Sequence, residues 1–240
     1  MSEYVFKYKT VDGNALTDNA WISENATGEQ YQEDGWWCVP LEDSVTSIGM
    51  YAFSDYTGLT KITIPESVTS IGYMSFAGCT GLTEITIPDS VTTIDACVFW
   101  GCTELTEITI PNTITSISRT LFGDCTGLTE ITIPDSVITI DYGAFGGCTN
   151  LASFTCEASV PPEINDASSF VNTPADKILY VPKEYVSAYQ SSGWANYFGT
   201  IVQIPDPEPP VPPVPPAPHC GFNLSGMKDT NFVKQGLIRR

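Results

Sequence analysis

The hydrophobic and polar positions of this chain recur with a fixed period. Five segments of 23 residues align without gaps, starting at Ser44, Ser67, Ser90, Thr113 and Ser136. Phe recurs at 53, 76, 99, 122 and 145, and Leu at 59, 82, 105, 128 and 151. Pro recurs at 65, 88, 111 and 134, and a looser sixth copy follows from Ser159 with Ile164, Phe170, Ile178, Tyr180 and Pro182. Within each copy, the stretch L-T-E-I-T-I alternates apolar and polar toward its end, which predicts a short strand with one buried face. The Pro that follows ends pairing and turns the chain. S-V-T-S-I predicts a second short extended piece, and the segment from Phe76 to Thr80 a tight helical or 3₁₀ turn, with Gly78 and Gly81 supplying turn conformations. One such unit cannot bury its own apolar edge. Stacked copies can, because equivalent strands pair in parallel at about 4.8 Å and their side chains form ladders. The pattern therefore predicts a short, curved, right-handed solenoid with one parallel sheet.

Open solenoid ends expose sheet edge and core, so caps are expected. Residues 1–43 form the predicted N-terminal cap. Tyr4, Phe6 and Tyr8 alternate as in a strand, and Val11-Asp12-Gly13-Asn14 is a turn signal. Trp36, Trp37, Cys38 and Val39 before Pro40 mimic a repeat strand, and Trp21, Trp36 and Trp37 are expected to cover the first rung. The repeats span 44–182. Residues 183–204 form the predicted C-terminal cap, with Val186, Tyr189, Trp194 and Tyr197 at near-helical spacing and Ile201, Val202 and Ile204 as a last strand. Pro205 to Pro218 reads as an extended polyproline spacer of roughly 40 Å. Residues 219–240 are a basic tail, either disordered or an anchoring peptide for an assembly partner, with Lys228, Lys234, Arg239 and Arg240 as candidate anchor residues.

The L-x-x-I-x-I strand, followed by P-D-S-V-T-S-I and then by A-F and G-C, resembles the BspA-like leucine-rich-repeat family. The resemblance covers about 44–183 and extends to about 204 through Lys177-Ile178-Leu179-Tyr180-Val181-Pro182, Val186-Ser187-Ala188-Tyr189, Trp194 and Tyr197. It implies a β-rich leucine-rich-repeat solenoid and a surface protein of bacteria, protists or phage that adheres to proteins, glycans or cells. It does not name a ligand.

Charge narrows the partner. The net charge of the 240 residues is −18. The tail carries four cations against Asp229, a net of +3, which leaves −21 on the rest. Such a body repels nucleic acid and anionic membrane and favours cations or a basic partner. No run is long enough to span a bilayer. Residues 1–10 lack a signal-peptide pattern, so the expected display on a cell or virion surface requires a removed signal or another exit, such as lysis releasing a virus particle.

The strand's outward face offers two columns as a candidate binding surface. One is Lys61, Glu84, Glu107, Glu130 and Ser153; the other is Thr63, Thr86, Thr109, Thr132 and Thr155. Three glutamates in line repel one another, and a cation or basic ligand would relieve this. Alternatively they only keep the sheet soluble. Trp100 follows Phe99, where other copies carry Ser, Ala or Gly. It is a binding hot spot if it points outward, or it packs over the neighbouring turn. The three positions before each Phe vary most between copies.

No catalytic or cofactor group is expected. The lone His219 lies outside the repeats, so a Ser-His or Cys-His mechanism has no base there. Phosphate-binding glycine motifs and C-x-x-C are missing, which argues against nucleotide and zinc sites. Of eight cysteines, Cys79, Cys102, Cys125 and Cys148 fall once per copy, with Tyr56 in that slot of the first, and read as buried free thiols. The reading is a non-enzymatic, surface-displayed adhesion module for a protein or glycan. The alternative is a structural assembly component held by its basic tail.

Overall fold

A computed structural model describes residues 5–16, 18–42 and 44–205. The spacer beyond Pro205 and the basic tail, with Lys228, Lys234, Arg239 and Arg240, lie outside the described residues.

The copies stack as rungs. Alternation of buried Leu and Ile with outward polar residues makes Leu59–Thr63, Glu84–Thr86, Glu107–Ile108, Glu130–Ile133, Ser153–Cys156, Ile178–Val181 and Thr200–Gln203 the long-strand column. Its register matches residue to residue, as in Lys61↔Glu84, Glu84↔Glu107 and Glu130↔Ser153. A second column runs beside it, finer than the one sheet expected. It is built from two-residue strands at Ser47–Ile48, Ser70–Ile71, Thr93–Ile94, Ser116–Ile117, Thr139–Ile140 and Glu163–Ile164. Both columns are interrupted at the same junction, between the third and fourth copies. The opposite side of the rungs stays bonded there, with Phe99 N–H donating to Leu121 O at 3.0 Å and Gly101 N–H to Gly123 O at 2.8 Å.

That opposite side consists of successive three-residue-bonded turns rather than helix. A 3₁₀ turn occurs in the sixth copy, at Ala167–Phe170. Between the columns and the turns lies a continuous core. Phe53, Phe76, Phe99, Phe122, Phe145 and Phe170 stack face to face with centroids 5.3, 5.9, 5.7, 5.5 and 5.6 Å apart.

The N-terminal segment closes the first rung differently from expectation. Strand Val5–Thr10 adds antiparallel to Leu59–Thr63 and pairs on its other edge with Trp36–Pro40, also antiparallel. The Trp36–Pro40 strand is thus not a rung mimic. Trp36 and Trp37 are half-buried, Trp36 beneath the Lys9 ammonium at 4.7 Å and Trp37 donating to Gly13 O at 3.0 Å. Trp21 covers the first rung as expected, 5.5 Å from Phe53, and Phe6 at 5.0 Å takes the place expected of Trp36 and Trp37. Helix Ala20–Asn25 is capped by Asn19, whose other amide group donates to Ala52 O at 2.7 Å and ties the helix to that rung. At the other end, Trp194 and Phe198 cover Phe154 and Phe170, Tyr189 packs edge-on against Trp194, and Trp194 donates to Pro162 O at 2.8 Å.

Candidate functional site

The register places Lys61, Glu84 and Glu107 in one outward row of the long-strand column and Thr63 and Thr86 in the next; the repeat pattern continues these rows to Thr109 and, past the interruption, to Glu130 and Thr132. Lys61 forms an ion pair with Glu84. The expected line of three repelling glutamates is therefore reduced to two, because the cation one rung away neutralises the first. Glu107 and Glu130 have no cation within ion-pair distance among the described residues. They flank the junction where the columns are interrupted, one on each side.

Over this junction the outer face forms a groove of about 650 Å³. Its lining includes Asp89, Glu107, Thr109, Glu130, Thr132 and Glu157. Asp89 and Glu157, which the strand pattern did not single out, extend the acidic surface from the turns that leave the strands. No cationic side chain belongs to the lining. Lys61, Thr63, Glu84 and Thr86 continue the same rows beyond it.

Trp100 lies elsewhere, on the turn side after Phe99. It is 41% exposed, and its indole N–H donates to Asp124 Oδ2 at 3.1 Å. An added Cβ on Gly123 would lie 2.9 Å from its ring, so the indole also covers the next turn. The structure does not bring Trp100 together with the glutamates.

The once-per-copy thiols are buried and free. Each donates to the carbonyl of the Phe one rung back: Cys79 to Phe53, Cys102 to Phe76, Cys125 to Phe99 and Cys148 to Phe122, at 2.9, 3.2, 3.1 and 3.0 Å. Burial pushes the thiols of Cys79 and Cys148 up to about 12 and raises Cys102 and Cys125 well above the ordinary value. These are not nucleophiles. Tyr56, in the equivalent slot, reaches out to Asp18 O at 3.1 Å. Among the described residues no cluster of three or more His, Cys, Asp or Glu is placed to hold a metal, and no helix is long and apolar enough to cross a membrane.

A stack of short parallel strands with one apolar ladder per position defines a leucine-rich-repeat solenoid. The model of the BspA type leucine-rich-repeat region matches residues 38–183 in six copies, and the chain belongs to that family. Similar solved structures include a leucine-rich-repeat protein of T. pallidum, 27% identical, covering 69% of this chain and 77% of that one with a TM-score of 0.48. Others are a leucine-rich-repeat protein of Bacteroides ovatus (23%, 75% and 59%, TM-score 0.41) and the pneumococcal vaccine antigen PcpA (17%, 69% and 41%, TM-score 0.43). A search of the curated proteins found no match.

Proposed function

We propose that this protein is a non-enzymatic binding or adhesion module displayed on a cell or virion surface, and that its acidic outer face recognises a basic patch on a partner protein. The observation that carries the reading is the groove over Glu107 and Glu130. Both carboxylates line it, Asp89 and Glu157 add to them, and the lining has no counter-charge. A lysine or arginine of a partner entering this groove removes a repulsion already present in the free protein. Family membership supports surface display, since proteins built on this repeat are used for adhesion.

The test is retention of the fluorescent full-length protein on intact bacterial and epithelial cells. Compared with the wild type, Glu107→Gln/Glu130→Gln is expected to bind roughly ten-fold more weakly. Wild-type binding should also weaken with salt and yield to an oligolysine competitor. Binding indifferent to the substitution, to salt and to oligolysine contradicts the reading. A chain ending at Pro205 should keep the binding. If that deletion alone abolishes it, the tail rather than the solenoid makes the contact.

A further inference from the structure

We propose that the groove over the short-strand column binds an uncharged linear polysaccharide, at a site separate from the acidic face. This groove measures about 600 Å³ and shares no lining residue with the first. Its floor is one hydroxyl per rung, from Ser47, Ser70, Thr93 and Ser116, held in register by parallel pairing within Ser47–Thr93. Met50 and Tyr73 form its border.

Three properties of the groove select the ligand. The first is charge. On a chain of net −18, the lining contains one carboxylate, Asp95, and no cation. With one carboxylate and no cation it is nearly neutral, so it favours a neutral partner over a charged one.

The second is hydrogen bonding. The hydroxyls of Ser47, Ser70 and Thr93 have no partner among the described residues, whereas Thr69 and Thr92 beside them bond to the carbonyls of Thr46 and Thr69 at 3.2 and 3.3 Å. A free hydroxyl both donates and accepts, as does each hydroxyl of a sugar. Rungs about 4.8 Å apart repeat at close to the rise of one sugar in an extended β-linked glycan, so successive residues meet equivalent groups from Ser47 to Thr93, while the Ser116 hydroxyl donates to Asp141 Oδ2 at 3.2 Å.

The third is the border. Tyr51 and Tyr73 pack edge to face at 5.6 Å, and Tyr51 and Met50 are 52% and 64% exposed. Aromatic and thioether groups held at the edge of a polar floor suit the C–H faces of pyranose rings. A site of this volume with few charges and convergent polar groups has the dimensions of a small-ligand cleft.

The test is affinity electrophoresis of the full-length protein in gels containing laminarin, mannan, soluble cellulose derivatives of neutral charge or, for comparison, heparin. Retardation by at least one neutral glycan is expected, unchanged between low and high salt. Tyr73→Ala should weaken it roughly ten-fold, and Thr93→Val, isosteric and exposed, should weaken it several-fold with an unchanged melting temperature. Glu107→Gln/Glu130→Gln should leave it intact, which separates this site from the acidic face. Retardation by heparin alone, none by any neutral glycan, or a neutral-glycan affinity untouched by Thr93→Val and by folded Tyr73→Ala overturns the proposal. So does capture of a protein that is released by those two substitutions.

Discussion

A thiol is the smallest apolar side chain that also donates a hydrogen bond, and the repeat uses that property four times. Each buried Sγ–H gives a second hydrogen bond to a Phe carbonyl of the previous rung, which already accepts a backbone N–H within its own turn, as Phe76 O does from Cys79 at 3.2 Å. In the unfolded chain these thiols ionise near 9, while the folded state holds Cys79 and Cys148 neutral up to about 12. Their raised values mean that stability is fully present below about pH 9 and is lost as pH climbs toward 12, by about 1.4 kcal/mol per thiol per pH unit. Chemical denaturation at pH 8, 9.5 and 11 should show that fall, and Cys79→Ala/Cys148→Ala should reduce its slope by about half, the remainder coming from Cys102 and Cys125. Alkylation of the native protein should spare all four ladder cysteines. Hydroxyls have a parallel role: Ser90, Thr113 and Ser136 cap the carbonyls of Val68, Val91 and Ile114 at 2.8, 2.5 and 2.7 Å. Two hydroxyls are exceptions, buried with no partner among the described residues: Ser67, in the same slot as Ser90, and Ser75, where other copies place Ala52, Val98, Leu121 and Ala144. Ser75→Ala should therefore raise stability by about 1 kcal/mol in denaturant titration; a loss would show that the hydroxyl is satisfied.

At the scale of the rung, two turn positions are left-handed in every regular copy: one is Asp55, Gly78, Gly101, Asp124 and Gly147, and the other carries a single glycine. Tyr51, Met74, Cys97, Thr120 and Gly143 have φ of 58°, 53°, 58°, 51° and 64°. Only glycine adopts this without cost, so the four other copies hold strain that the stack enforces. Gly143→Thr should lower stability by roughly 1–2 kcal/mol, read as a drop in melting temperature. This position was not legible in the sequence, because four of five copies fill it with non-glycine residues. The period, the buried ladder of phenylalanines and the outward rows of the long strands were legible, since repetition exposes which positions share an environment. It does not expose how a unique segment joins the stack, so the antiparallel entry of Val5–Thr10 and the displacement of Trp36 and Trp37 from the first rung were missed. The second groove left a weaker trace, in the variable residues before each Phe that become its border at Met50 and Tyr73. The interruption between the third and fourth copies was likewise invisible to a period. There the Ser118 hydroxyl bonds Ile94 O at 2.6 Å, while Gly72, Asp95 and Asp141 bond the equivalent carbonyls through backbone N–H. Glu107 shares its groove with three other carboxylates, so Glu107→Lys should stabilise the protein by about 0.2–1 kcal/mol at low salt and by nothing measurable at high salt.

For the molecule from residue 5 to 205, stacking separates two kinds of outer surface. The long strands present an acidic face over Glu107 and Glu130, and the short strands a nearly uncharged one over Ser70 and Thr93. Both surfaces are sums over rungs, so each depends on the same nearest-neighbour packing. The most direct test of that dependence is thermal unfolding, followed by near-ultraviolet circular dichroism, of the chain lacking residues 90–112. Removing one whole period joins Glu84 to Glu130 and stacks Phe76 on Phe122 without changing either end. The expected result is one cooperative transition from a native-like spectrum, at a modestly lower temperature. A chain with no transition and no native aromatic signal would contradict the account, because interchangeable rungs cannot require one particular copy.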